Sequence, residues 1–195
     1  MNNLVFLHSK NKTHMSKLWQ TTYTLDTLIE DFTVGDDPII DLTYLPYDIQ
    51  ATIAHAKMLT KIWIISENEL SLIEKGCNDI LQLSESGEFV IEKDQEDCHT
   101  AIESYLTTHY GEVWKKIHTG RSRNDQVLTA LRLYTKAELE NTHQAMIAAL
   151  EVLYAFTSKY QSIPYVGRTH FQKAMPSSFG LWGGAMIESL LDDIK

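Results

Sequence analysis

The sequence predicts an all-α protein: a small N-terminal helical domain followed by the first two long helices of a helical bundle. Three observations predict it. Between Gly120 and Pro164 there is neither glycine nor proline. Within that stretch Leu128, Leu131, Thr135, Leu139, Thr142, Met146, Ala149, Leu153, Phe156 and Tyr160 recur at spacings of three and four, the period of one helix face. No segment shows the alternation of a half-buried strand. A helix of about 40 residues is ~60 Å long at the α-helical rise. A chain of 195 residues cannot cover such a rod with a globule, so other long helices, from this chain or from partners, must lie beside it.

In chain order, residues 1–14 are mostly polar and read as a disordered leader, residues 15–114 as the N-terminal helical domain, and residues 115–195 as the start of an incomplete bundle domain. A helix is expected from Tyr47 to Ile64, with Ile49, Ile53 and Ala56 inward and Asp48 in its first turn. Ser66-Glu67-Asn68-Glu69 has the form of a capping box and opens a helix with Leu70, Ile73, Cys77 and Ile80 inward, stopped by Ser84 to Gly87. A helix from about Asp97 to Tyr110 ends at Gly111. The long helix spans about 121–162. The last helix is expected over 176–195, with Pro176 as its first residue and Phe179, Trp182, Met186, Leu190 and Ile194 on one face. Gly180, Gly183 and Gly184 thin that helix and permit close approach of a neighbour.

Composition narrows the function. At 44% hydrophobic and 22% charged residues the chain can build a core. Seventeen Lys and Arg against 26 Asp and Glu leave a net charge of −9, which disfavours nucleic acid and anionic membrane as partners. No apolar run approaches the ~18 residues of a membrane span. The short patch Leu4 to Leu7 lacks a basic segment before it. Cys77 and Cys98 have no CxxC spacing and read as reduced thiols. A cytoplasmic protein is the expectation.

Two polar clusters carry the candidate chemistry. His118-Thr119-Gly120-Arg121-Ser122-Arg123-Asn124-Asp125-Gln126 stands just before the long helix. From Lys115 to Lys136 there are six Lys or Arg and one Asp, a local +5 in an acidic chain. Guanidinium, hydroxyl and carboxamide donors at a helix N-terminus suit a multiply charged carboxylate; ordinary capping by Ser122 or Asn124 is the plain alternative. Gly167-Arg168-Thr169-His170-Phe171-Gln172 lies in the connection to the last helix, and an imidazole there is suited to proton transfer, although a loop histidine taken alone is more often a surface residue.

Taken together, HTGRSRNDQ, a long helix and a GRTHFQ loop resemble the argininosuccinate lyase family of the fumarase/aspartase superfamily. Lys17-Leu18-Trp19, Ala54 to Leu59, Glu96-Asp97-Cys98-His99 and Ala174 to Trp182 extend the resemblance over about residues 16–195. It implies β-elimination of argininosuccinate to arginine and fumarate. It places Ser122, Arg123 and Asn124 on the substrate's carboxylates, Thr169 against the substrate, and His170 as the catalytic histidine. It implies no metal and no organic cofactor, and a homotetramer whose active sites each combine segments from three subunits. His99 and Glu103, spaced i, i+4, read as a structural helix pair.

The chain also departs from the family pattern. Gly35 stands where family members have a substrate-contacting serine. Arg168 is closer to adenylosuccinate lyase or fumarase, and the segment around it carries two extra residues. The family's third signature, a loop of GSSxMPxKxN type with the catalytic serine, is not in these 195 residues, so the resemblance implies that they do not turn over alone. Two alternatives stand beside this one: a non-catalytic helical interaction module that self-associates through the seam of the long helix, and another superfamily lyase, such as adenylosuccinate lyase.

Overall fold

A computed structural model of the chain describes residues 27–92, 95 and 97–195. The expected leader, Lys17-Leu18-Trp19 and Glu96 lie outside the described residues. The chain divides into two compact units, the first ending at Arg132 and the second comprising Leu133–Lys195. The predominantly helical expectation is met: the described chain runs α1 Thr27–Val34, α2 Asp37–Lys61, α3 Glu67–Glu85, α4 Cys98–Tyr110, a 3₁₀ segment Gly111–His118, α5 Arg123–Tyr160, β1 Pro164–Thr169, β2 Gln172–Ser178 and α6 Phe179–Ile194.

Helix α2 begins ten residues before the expected Tyr47 and continues through Pro46. Its buried residues Asp41, Leu45, Asp48, Ile49, Thr52, Ala56 and Leu59 form one stripe at helical spacing, and packing along that stripe outweighs the hydrogen bond that the proline omits. Pro46 itself is on the exposed face, where water is available. The helix closes with Ile64 N–H donating to Leu59 O and Trp63 N–H to Thr60 O. This is the Schellman pattern, with Trp63 at φ 64° in the position that glycine ordinarily fills.

The capping box of α3 forms as expected. Ser66 Oγ accepts from Glu69 N–H at 3.3 Å, and Glu69 Oε2 accepts from Ser66 N–H at 2.9 Å. Ile73, Cys77 and Ile80 face inward and Leu70 is half-buried. Helix α4 is capped by Asp97, which accepts from Thr100 N–H at 2.8 Å, and ends at Gly111 as the sequence predicts. Leu45, Ile49, Leu59, Ile80, Ile102, Leu106 and Ile117 are fully buried together in the core of this first unit. Gly76 lies so close to Leu106 and Tyr110 that a Cβ there would overlap the Leu106 side chain. Cys77 and Cys98 are buried, unpaired thiols.

In the second unit, α5 leads into an antiparallel β-hairpin that the sequence did not predict. Pro164 pairs with Ser178 and Thr169 with Gln172, with a register shift between Val166 and Arg168. Two further expectations are corrected here. Pro176 is not the first residue of the last helix but sits in β2 opposite Val166, where a strand with a free edge tolerates its missing N–H. Helix α6 starts at Phe179 instead, because Ser178 supplies a side-chain cap, its Oγ accepting from Leu181 N–H at 3.1 Å. The thin glycine face does work as a contact: a Cβ on Gly183 would overlap Thr157 Oγ1, and one on Gly180 would lie 2.8 Å from Gln161 O. A Cβ on Gly184 would meet nothing.

Candidate active site

The chain turns into α5 at Gly120, whose φ of 70° is a conformation that suits glycine. Ser122 then caps the helix: its N–H and Oγ both donate to Asp125 Oδ2, at 2.9 and 2.8 Å, and its Oγ accepts from Asp125 N–H at 3.3 Å. These bonds hold the Asp125 carboxyl below its ordinary range. The plain capping role of Ser122 is therefore real, and it uses the same hydroxyl that the substrate role would need. Arg123 is half-buried. Its guanidinium pairs with Asp97 and donates to Thr100 Oγ1 at 3.1 Å. Asn124 is exposed on the first turn. The triplet Ser122, Arg123 and Asn124 is thus assembled in the first unit, with the free N–H groups of the first helical turn beside it.

Asp97 joins two helix starts. Burial alone would raise its carboxyl pKa, but hydrogen bonds from Thr100 N–H and Arg123 prevail and hold it below the ordinary range. Around it lies a polar network that sequence reasoning missed. Asp48, fully buried, accepts from Gln126 Nε2 at 3.0 Å on each oxygen and pairs with His99 Nδ1 at 2.8 Å. Arg121 Nη1 donates to Thr52 Oγ1 at 3.1 Å, while its Nε and Nη2 are buried without a partner, as are Gln126 Oε1 and His99 Nε2. Burial lowers the Arg121 pKa, opposed by the nearby charge of Asp48. Asp41 accepts from Cys98 N–H at 2.8 Å and from Tyr44, and burial raises its carboxyl pKa. The signal was present in the sequence: Asp41, Asp48 and Thr52 share the apolar stripe of α2 with Leu45, Ile49 and Ala56.

The expected His99–Glu103 pair does not form. His99 turns inward to Asp48, and Glu103 instead accepts from His118 Nε2 at 3.2 Å, which lowers the Glu103 pKa. A helix spacing of four permits a pair, but the buried carboxylate on α2 offers His99 the better partner. Asp48, Cys98 and His99 place one potential metal-ligand atom each within 4.8 Å of one another. Their donor set is already engaged: the Asp48 oxygens take His99 and Gln126, and His99 offers the same Nδ1 to Asp48. On the other side of the turn, a cavity of about 330 Å³ is lined by His55, Met58, Gly120, Arg121, Gln126 and Thr129 among others. His55 Nε2 donates to Thr119 O at 3.1 Å there, and burial lowers its pKa.

Thr169 and His170 are brought together in the second unit, at the tip of the hairpin. With Thr169 paired to Gln172, the loop is the dipeptide His170-Phe171, at φ 48° and 63°. These are the left-handed values of a type I′ turn, which Asn-Gly ordinarily fills. Both side chains are exposed, Phe171 completely. Strain at a non-glycine turn is the kind of cost tolerated at functional positions. Gly35, the position where the resemblance expects a serine, lies between α1 and α2 with φ 52° and open space around it.

A family model described as "Lyase" matches residues 14–195. An argininosuccinate lyase of Thermotoga neapolitana is 47% identical over 179 residues, covering 92% of this chain and 45% of that protein. One from Bacteroides fragilis is 43% identical over 178 residues, covering 91% and 40%. The chain thus spans less than half the length of these relatives. Among solved structures, a fumarate lyase/delta crystallin from Brucella melitensis matches with a TM-score of 0.68 at 20% identity, over 88% of this chain and 45% of that one. An EDDS lyase in complex with formate matches with a TM-score of 0.66 at 24% identity, over 89% and 34%.

Proposed function

The chain belongs to the lyase family whose model matches it, and from that premise we propose that it carries the carboxylate-binding segments of an argininosuccinate lyase, which cleaves argininosuccinate to arginine and fumarate. In this reading residues 15–114 are the N-terminal helical domain and residues 115–195 begin the long-helix bundle. The protein is cytoplasmic, and its active form is a homotetramer acting on a small-molecule substrate. The described residues contain no helix long and apolar enough to cross a membrane.

One observation carries the reading: Ser122, Arg123 and Asn124 stand at the N-terminus of α5, Ser122 as its cap, with Arg123 oriented by Asp97 and Thr100. The chemistry asks for such a site. The proton removed lies next to a carboxylate, so the intermediate gathers a second negative charge on that group. Preoriented donors must hold it, and such stabilisation is usually the largest contribution to the rate. Arg123 supplies a charged fork, Asn124 a carboxamide, and the helix N-terminus its free amides and dipole. Thr169 contacts the substrate and His170 moves a proton and stabilises charge. No organic cofactor is called for by this chemistry.

The test is release of fumarate, followed by ultraviolet absorbance, from argininosuccinate and the complete gene product. Asn124→Ala and His170→Ala are each expected to lower the rate by about 100-fold or more. Turnover of adenylosuccinate in place of argininosuccinate would overturn the substrate assignment, and full activity in both variants would overturn the roles.

A further inference from the structure

The triplet Ser122-Arg123-Asn124 is bracketed by two residues that reach back to the same face of α2. On one side Arg121 Nη1 donates to Thr52 Oγ1 at 3.1 Å; on the other Gln126 Nε2 donates to both oxygens of Asp48 at 3.0 Å. Thr52 and Asp48 are one turn apart and fully buried. Neither is open to a ligand. His99 fixes Asp48 from α4, with Nδ1 at 2.8 Å.

We propose that Asp48 and Thr52 are positioning residues for the carboxylate-binding triplet, tying both ends of the 121–126 arch to α2 and so setting where Arg123 and Asn124 point. This rests on the lyase reading of the triplet. Two facts favour positioning over stability alone. A buried carboxylate in an apolar stripe, even when paired, is often no more stable than a well-packed apolar residue in its place, so the stability of α2 does not account for it. The Thr52 hydroxyl is also the hydrogen-bond acceptor that the structure shows for Arg121, whose Nε and Nη2 are buried without one. Losing that hydroxyl frees the guanidinium at the base of the arch.

The decisive comparison is Thr52→Val, which keeps the shape and removes the acceptor, against Thr52→Ser, which keeps the acceptor. With the complete gene product and argininosuccinate, T52V is expected to raise KM about tenfold, the scale of one hydrogen bond to a charged group, with a melting temperature close to that of the parent. T52S restores the parent KM. D48N, which keeps the volume and one acceptor oxygen, is expected to raise KM further. An unchanged KM in T52V, or equal impairment in T52S, overturns the inference. An activity-independent readout separates it from the lyase reading: in ¹H–¹⁵N spectra of the 195-residue chain, the amide signals of Arg123 and Asn124 should move in T52V and not in T52S. If the parent shows no turnover, the lyase reading fails while those spectra still decide the positioning role. Spectra in which those amides stay in place overturn it.

Discussion

The first unit closes on itself and the second does not. From Val34 to Ala130 the chain buries a continuous apolar core, and all the large buried hydrophobic residues of the described chain lie in that stretch. From Leu133 onward the residues buried outright are Gly167 and Gly183, while Leu139, Val152, Tyr154, Leu181 and Trp182 are exposed. Both regions are rich in apolar residues, so composition does not separate them. The difference is geometric. Helices α2, α3 and α4 are 25, 19 and 13 residues long and cover one another, whereas α5 has 38 residues and α6 and a two-stranded hairpin cannot sheathe it. The polar site follows the same division. Arg123 is held by the half-buried Asp97 and Thr100 and Ser122 by Asp125, whereas Thr169 and His170 stand on an exposed, strained tip.

The largest test of this contrast is truncation. Ile80→Ala, in the closed core, is expected to lower the stability of the first unit by about 3 kcal/mol. Val152→Ala, on the open seam, should change stability by less than about 0.5 kcal/mol. Denaturant unfolding followed by region-resolved hydrogen exchange measures both, and equal losses would abolish the distinction. Next comes the tightest glycine contact of the second unit, Gly183 against Thr157. Gly183→Ala drives a methyl into Thr157 and is expected to destabilise α6 by about 1–3 kcal/mol; adding Thr157→Ala should recover most of that loss.

Asp97→Asn probes the joint at the two helix starts and should lower the stability of the first unit by about 1–2 kcal/mol at pH 7. The pH dependence gives the sign. The folded Asp97 carboxyl lies below its ordinary range, so its contribution is complete above the unfolded carboxylate value near 4 and is lost as the pH falls through the folded value. Stability measured from pH 6 down to pH 2 should therefore fall more steeply in the parent than in D97N. A smaller effect, of opposite sign, is expected at the hairpin. Phe171→Gly relieves a left-handed backbone position and should strengthen the turn by about 1 kcal/mol, read as slower hydrogen exchange at Thr169 and Gln172. Faster exchange there would mean that Phe171 holds the turn by packing.

Local signals determined much of this protein. The absence of glycine and proline between Gly120 and Pro164 was enough to write α5, and Ser66 with Glu69 was enough to start α3, because caps and breakers act within one helical turn. The motif around Ser122 to Asn124, with Thr169 and His170, was legible as residue identity. The hairpin was not. Tyr165-Val166 is too short a β signal, the turn carries His-Phe instead of Asn-Gly, and Pro176 pointed to a helix start that Ser178 supplies three residues later. Nor could the sequence alone bring Asp48, Thr52, His99 and Gln126 together, since their partners lie 51 to 78 residues apart for Asp48 and 69 for Thr52. Only packing α2 against α4 and the start of α5 decides that these buried groups meet, because a polar group withdrawn from water gains by pairing with another that packing brings within reach.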